Sequence, residues 1–263
     1  MNFFSIREKI KIKLFIFLLK IPINKRFFLF LEKYINYSKG QGWPFSSIEI
    51  EVNSCFSLLK NEPKIFIDIG AHKGEYLEAL TKRYHKAEYH IFEPSIKNYQ
   101  FLRKRFNKKH YKINNLALSS VSKQGILYSN FYGSAFSSLY KRNLDNLNIK
   151  FEKTEEIKIL RFDEYWKDIN SIIDYVKIDV EGHELDVLKG FGELIKKVKL
   201  IQFEFGGANI DSKTYLRDFW EFFSKKNFCL YRITPKGNVL LNEYHEKEEN
   251  FLWSNYIATN KSL

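Results

Sequence analysis

The sequence predicts an α/β fold: a mostly parallel, doubly wound sheet with an antiparallel edge strand, preceded by a helical extension. Three observations carry this. β-branched apolar runs alternate with helical stretches of about a dozen residues, the pattern of right-handed strand–helix–strand crossovers. Two of those runs end in acidic, glycine-containing turns, Asp-Ile-Gly at 68–70 and Asp-Val-Glu-Gly at 179–182. Close to the end, two further strand-like runs are joined by a polar stretch, which suits an antiparallel pair at the sheet edge.

Taken in order, residues 1–39 read as two short helices broken at Pro22, each mixing aromatic and aliphatic side chains with Lys. Residues 40–44 (Gly-Gln-Gly-Trp-Pro) are a loop by their Gly and Pro content. A helical stretch follows to Lys60 and is ended by Asn61-Glu-Pro63. Residues 64–69 form a strand ending at Gly70, 75–83 a helix, 89–92 a strand, 96–107 a helix, and 111–114 begin a third strand. The pattern is less regular from 118 to 163, with a strand candidate at 126–129, a small-residue loop at 133–138 and a charged stretch to Glu156. Residues 175–179 and 184–194 make another strand–helix unit, and 200–205 the next strand. Residues 228–233 and 252–258 are the final pair. The chain divides into a basic, aromatic-rich helical extension (1–62) and an α/β domain (63–263).

The 263 residues carry 43 Lys and Arg against 31 Asp and Glu, a net charge of +12, which by itself suggests nucleic acid or an anionic membrane. The charge is uneven. Residues 1–39 hold nine basic and two acidic residues, so the α/β domain is only mildly basic. Only nine of the 43 basic residues are Arg, the better fork for phosphates and base edges. No nucleic-acid partner is expected. The N-terminal segment reads either as a helical cap packed on the domain with Lys on its wet face, the preferred reading, or as a peripheral membrane or partner contact. Its longest apolar run, 14–19, is too short to span a bilayer and lacks a signal-peptide cleavage site, so a cytoplasmic protein, at most associated with the inner membrane face, is expected. Cys55 and Cys229 make neither a metal pair nor a disulfide framework. A homo-oligomer is left open.

Four stretches carry chemistry. In Phe66-Ile-Asp-Ile-Gly-Ala-His-Lys-Gly-Glu-Tyr76 a strand ends near Asp68 and turns through Gly70 and Gly74 into a helix. The G-x-x-x-G spacing lacks the middle glycine of the dinucleotide fingerprint, and no phosphate-binding Gly-Lys-Ser/Thr loop occurs. An acid at the base of a loop without a phosphate cradle suits a zwitterionic ligand such as S-adenosylmethionine, with Asp68 toward its ammonium. Glu93, in Phe92-Glu-Pro94, follows Gly70 by 23 residues, near the ~20-residue offset at which an acid takes ribose hydroxyls. Asp179, Glu181 and His183 cluster at the exit of a later strand, where one of them could accept a substrate proton. Glu204 ends the neighbouring strand. Two carboxylates on adjacent strand ends position a substrate diol or, as a less favoured alternative, a divalent metal.

Together, in this order, these stretches resemble the FkbM family of S-adenosylmethionine-dependent methyltransferases. The resemblance covers residues 63–259 and rests on Ile67-Asp-Ile-Gly-Ala-His-Lys-Gly-Glu-Tyr76, Phe92-Glu-Pro94, Asn115-Leu-Ala-Leu118, Ser137-Ser-Leu139, Lys177-Ile-Asp-Val-Glu-Gly-His-Glu184, Leu188-Lys-Gly190, Gln202-Phe-Glu204 and Ser254-Asn-Tyr256. It implies a Rossmann-like class I methyltransferase fold. It implies cofactor contacts by Asp68, Gly70, Ala71, Gly74, Glu75, Tyr76, Glu93, Pro94, Ala117 and Asp179. It places Asp179, Glu181 and His183 as catalytic candidates and Ser137, Ser138 and Glu204 toward the substrate. His72 departs from the Asn usual in that loop. The implied reaction is O-methylation of a small molecule, foremost a sugar or nucleotide-linked sugar of a bacterial surface polysaccharide. A polyketide or lipid-type acceptor and a non-catalytic scaffold are the alternatives.

Overall fold

The computed structural model describes residues 6–19, 24–42, 48–168 and 170–263. The N-terminal extension contains helices α1 (Ile6–Leu19) and α2 (Lys25–Ser38). The expected break at Pro22, and Trp43 and Pro44 of the expected loop, lie outside the described residues. A third helix, α3 (Ile48–Phe56), precedes the first strand.

Eight strands form the main sheet: β1 (Ile65–Ile69), β2 (Glu88–Phe92), β3 (Tyr111–Asn114), β7 (Ile173–Ile178), β8 (Val198–Phe205), β9 (Phe228–Thr234), β10 (Gly237–Leu241) and β11 (Ser254–Asn260). Their order is β10-β9-β11-β8-β7-β1-β2-β3. The chain winds outward from β1 through β2 to β3, then returns to β7 on the other side of β1. All contacts from β3 to β8 are parallel, whereas β11 runs antiparallel to both β8 and β9. This is the expected doubly wound architecture. The antiparallel strand β11 is inserted two places inside the edge, beside β9, and the outermost position is taken by β10, hairpinned to β9, within what the sequence presents as a polar connection.

Both faces of the sheet are covered, so its strands are apolar at successive positions rather than alternating with water-facing residues. On one face, Phe66, Tyr89, Tyr175 and Leu200 pack under α3, α4 (Glu75–Arg83) and α5 (Ile96–Arg105). On the other, Ile67, Phe92, Val176 and Phe203 pack under α6 (Phe162–Tyr165), α7 (Glu184–Gly190) and α9 (Leu216–Ser224); the short α8 (Ala208–Ser212) follows β8. Each fully buried Phe or Ile contributes about 1.5–3 kcal/mol. Val52, Cys55 and Phe56 of α3 belong to the first of these cores, so α3 packs with the α/β domain although it precedes residue 63. By contrast, no residue of α2 is buried. The expected cap with its apolar side on the domain is therefore not met by α2.

The segment 118–163 is more ordered than its sequence suggests. β4 (Ala117–Leu118), β5 (Lys123–Ser129) and β6 (Lys153–Leu160) form a separate three-stranded sheet. In β6 only Ile157 and Ile159 turn inward while Glu156 and Lys158 face water, so a one-sided strand reads as a charged stretch. The expected helix 184–194 is α7 followed by a 3-10 helix (Gly192–Lys197), with Gly192 at φ +53° marking the change.

Candidate functional site

In doubly wound sheets, ligands bind outside the carboxyl ends of the strands where the winding direction reverses. Here that point lies between β1 and β7. Two cavities open there, of about 580 Å³ and 1190 Å³, and both are lined by Gly70, Asp179 and Glu181.

The smaller cavity has an apolar wall of Phe92, Leu116, Ala117 and Leu118, with Glu93 and Pro94 beside it. Its floor is the turn after β1. Gly70 N–H and Ala71 N–H both donate to Phe92 O, at 2.9 and 3.3 Å, fixing the turn to the end of β2. Glu93 locks it from the other side: its carboxylate accepts from His72 N–H at 2.8 Å and Ser95 N–H at 3.0 Å. Burial raises the Glu93 carboxyl to about 7 despite those bonds. His72 Nε2 lies 3.2 Å from Gly133 O, so the departure from Asn ties the turn to the loop above it.

The glycines serve this geometry in different ways. Gly70 has φ +82°, and a Cβ there would lie 1.9 Å from Asp179 O. It permits β1 and β7 to converge beneath the cleft. Gly74, also at positive φ, would direct a Cβ to 2.6 Å from the Phe106 ring. Its smallness serves the packing of α4 against Leu102 and Phe106.

Asp68, the acid expected toward the ligand's ammonium, is buried. It is 1% exposed, lies behind the cleft wall, and neither carboxylate oxygen has a hydrogen-bond partner among the described residues. Burial raises it to about 6, opposed by nearby Lys177. Cross-strand register explains the proximity: Asp68 is paired with Lys177, and Lys177 with Gln202. These residues form a polar row on the α3–α4 face. Gln202 Oε1 accepts from the hydroxyls of Tyr76 (2.6 Å) and Tyr175 (2.5 Å) and from Cys55 Sγ (3.0 Å). Gln202 Nε2 donates to Glu51 (2.8 Å) and Asn255 (3.2 Å). Tyr76 thus borders the larger cavity with its hydroxyl aimed into the protein. Burial pushes the Cys55 thiol to about 12, which keeps it protonated and unreactive.

The larger cavity is polar. Asp179, Glu181 and Glu204 line it together with Glu75, Lys177, Arg142, Asn255 and Trp253. Asp179 Oδ2 accepts from Lys177 Nζ at 2.8 Å. Burial works against the Lys177 ammonium, but the Asp179 and Asp68 carboxylates outweigh it and hold it above its ordinary value. Glu181, at φ +53°, is ion-paired with Arg142, which also reaches Asp211 at 3.3 Å. Burial and the Asp179 charge raise the Glu181 carboxyl, with Arg142 opposing. The Glu204 carboxyl is raised by burial and by Asp179 and Glu181. Among the described residues, no group of three or more His, Cys, Asp or Glu is arranged to hold a metal ion.

Three expected contributors already hold hydrogen bonds within the protein. His183 lies between the Ser119 hydroxyl (2.9 Å) and the Tyr140 hydroxyl (3.2 Å), and burial lowers it to about 4. It borders the smaller cavity as a neutral strut, a poor proton acceptor. Ser137 and Ser138 also border that cavity, but their hydroxyls donate to Ser134 O and Glu181 O, both at 2.7 Å. Lys177 and Arg142 were not singled out as site residues from sequence. A Lys inside an apolar strand is a legible signal; Arg142, in a polar loop, gives none.

The family model described as the methyltransferase FkbM domain matches residues 68–233, more than half of the chain. No curated protein matches. Among solved structures, methyltransferase FkbM from Methylobacillus flagellatus is 16% identical with a TM-score of 0.47, over 76% of this chain and 45% of that one. The chain therefore spans less than half the length of that protein. Precorrin-6y C5,15-methyltransferase from Geobacter metallireducens is 12% identical (TM-score 0.42), over 82% and 90% of the two chains. The plantazolicin methyltransferase BpumL, in complex with SAH, is 11% identical (TM-score 0.45), over 92% of each. With its family-model match spanning the cleft from Asp68 to Glu204, the chain belongs to the FkbM methyltransferase family.

Proposed function

We propose that the protein transfers a methyl group from S-adenosylmethionine to a hydroxyl of a small molecule, in the first place a sugar or nucleotide-linked sugar. The observation that carries this reading is the pair of adjoining cavities sharing Gly70, Asp179 and Glu181. The composition of the smaller one fits an adenosine: an apolar wall at Leu116, Ala117 and Leu118 for the base, and Glu93 for ribose hydroxyls. Gly70, Ala71, Pro94 and Asp179 complete the cofactor side, with Glu75 and Tyr76 beyond them. The larger, polar cavity with Trp253 at its border suits a polyhydroxylated acceptor.

Bound there, S-adenosylmethionine supplies an already activated methyl group, which leaves the protein to align the acceptor and remove its proton. Asp179 is the base in this account. It borders both cavities, its side chain is 37% exposed, and Lys177 holds one of its oxygens. Glu181, held by Arg142, and Glu204 orient the acceptor. The test is methyl transfer from S-adenosylmethionine to a panel of nucleotide sugars and free glycans, followed by mass spectrometry. A product heavier by one CH2, the methyl having replaced the hydroxyl proton, and labile only to ether cleavage, supports O-methylation. Methylation at nitrogen or carbon alone overturns it.

A further inference from the structure

We propose that the N-terminal helices dock on the surface of an anionic lipid bilayer. In α2, Phe27, Phe28, Leu29, Phe30, Tyr34 and Ile35 are all exposed, Phe30 at 62%, and the helix buries no residue. At 100° per residue, Phe27, Phe28, Phe30, Leu31, Tyr34 and Ile35 fall on one broad arc, whereas Lys25, Arg26, Glu32 and Lys33 fall on the opposite one. Leu29 is the apolar exception on the polar arc. Bulky apolar residues beneath flanking cations are the pattern of a helix lying in a membrane interface. In α1, Ile10, Ile12, Leu14, Ile16 and Phe17 are likewise exposed, next to Lys11 and Lys13.

Length and charge select the occupant. Each helix has 14 residues, about 21 Å, whereas spanning a bilayer takes about 20 residues. No helix among the described residues is long and apolar enough to cross. A second copy of the chain would bring an equally cationic segment, since residues 1–39 hold nine basic and two acidic residues. An anionic headgroup layer complements both the charge and the aromatic face, each Lys or Arg near it adding about 1 kcal/mol of attraction, some fivefold in affinity.

The docking segment is joined firmly to the domain. Arg232 Nε donates to Lys39 O at 2.7 Å, and Gly42 N–H donates to Trp253 O at 2.7 Å. Trp253 borders the larger cavity, so the segment that follows α2 is anchored at that cavity's rim.

The experiment is co-sedimentation of the full-length protein with phosphatidylglycerol–phosphatidylcholine vesicles and with phosphatidylcholine alone. It is repeated with Phe27→Glu/Phe30→Glu and with Lys25→Glu/Arg26→Glu/Lys33→Glu. Because α2 buries nothing, melting temperatures should match the wild type and serve as the folding control. The proposal predicts binding to the anionic vesicles, weakened roughly tenfold or more by either variant and by removal of phosphatidylglycerol. Absence of binding to anionic vesicles overturns it, as does binding by either variant as strong as that of the wild type. Wild-type self-association abolished by the Phe variant, without vesicle binding, also overturns it in favour of a second copy.

Discussion

Lys177 Nζ lies 2.8 Å from Asp179 Oδ2, and the same lysine stands beside Asp68 in the β1–β7 register. One buried cation thus serves two acids: it orients the carboxylate at the cleft and neutralises the one behind it. Replacing Lys177 with Met leaves Asp68 buried with no compensating charge. The expected cost is about 3–5 kcal/mol of stability, read from chemical denaturation. Asp68→Asn in the same background should restore part of it. A Lys177→Met protein as stable as wild type would contradict this coupling.

The base assignment separates Asp179 from His183. Asp179→Asn should lower kcat by about 100-fold or more while S-adenosylhomocysteine binding persists. His183→Gln, which keeps hydrogen-bonding capacity toward Ser119 and Tyr140, should leave kcat within about threefold of wild type. The reverse order of effects would make His183 the base.

Glu93 and Gly70 test the cofactor side. Glu93→Ala removes the acceptor for the ribose and for His72 N–H, so S-adenosylhomocysteine affinity should fall about 10–100-fold in calorimetric titration, from loss of charge-assisted bonds of ~1.5–3 kcal/mol. Gly70→Ala places a methyl against Asp179 O in a backbone conformation that L-residues avoid. It should destabilise the protein by about 3 kcal/mol or more, visible as a lowered melting temperature.

How much of this could be read beforehand varies with the physics involved. Strand β1, Gly70, Glu93 and Asp179 were legible because a buried strand, a positive-φ turn and an acid at a fixed offset each constrain residue type. Gly74 was legible as a glycine but not in its packing role, since its neighbour Phe106 is 32 positions away in sequence. Of the small sheet of β4, β5 and β6, only residues 126–129 of β5 were read as a strand, because one wet face masks a period-2 pattern in β6. Arg142 was missed because its partners, Glu181 and Asp211, come from two other loops that only the fold brings together.

Stability of the ligand-free protein should depend on pH in an unusual direction. Burial raises Asp68 to about 6 and Glu93 and Glu184 to about 7, from about 4 in the unfolded chain. Between those values the folded state binds more protons, so the contribution present below about pH 4 is lost as pH rises through 6–7. His183, lowered to about 4 from about 6.5, acts oppositely, losing its contribution as pH falls through that window. Three groups outweigh one. The melting temperature should therefore be higher near pH 6 than near pH 8, and Glu93→Gln should flatten the difference. A melting temperature that rises from pH 6 to 8 would contradict these burial effects.

The most direct measurement is a crystal structure of the protein with S-adenosylhomocysteine. The account predicts the adenine against Leu116, Ala117 and Leu118, the ribose hydroxyls on Glu93, and the sulfur facing Asp179 at the junction of the two cavities. An adenosine bound elsewhere, with Glu93 still engaged only by His72, Ser95 and Asn98, would contradict it.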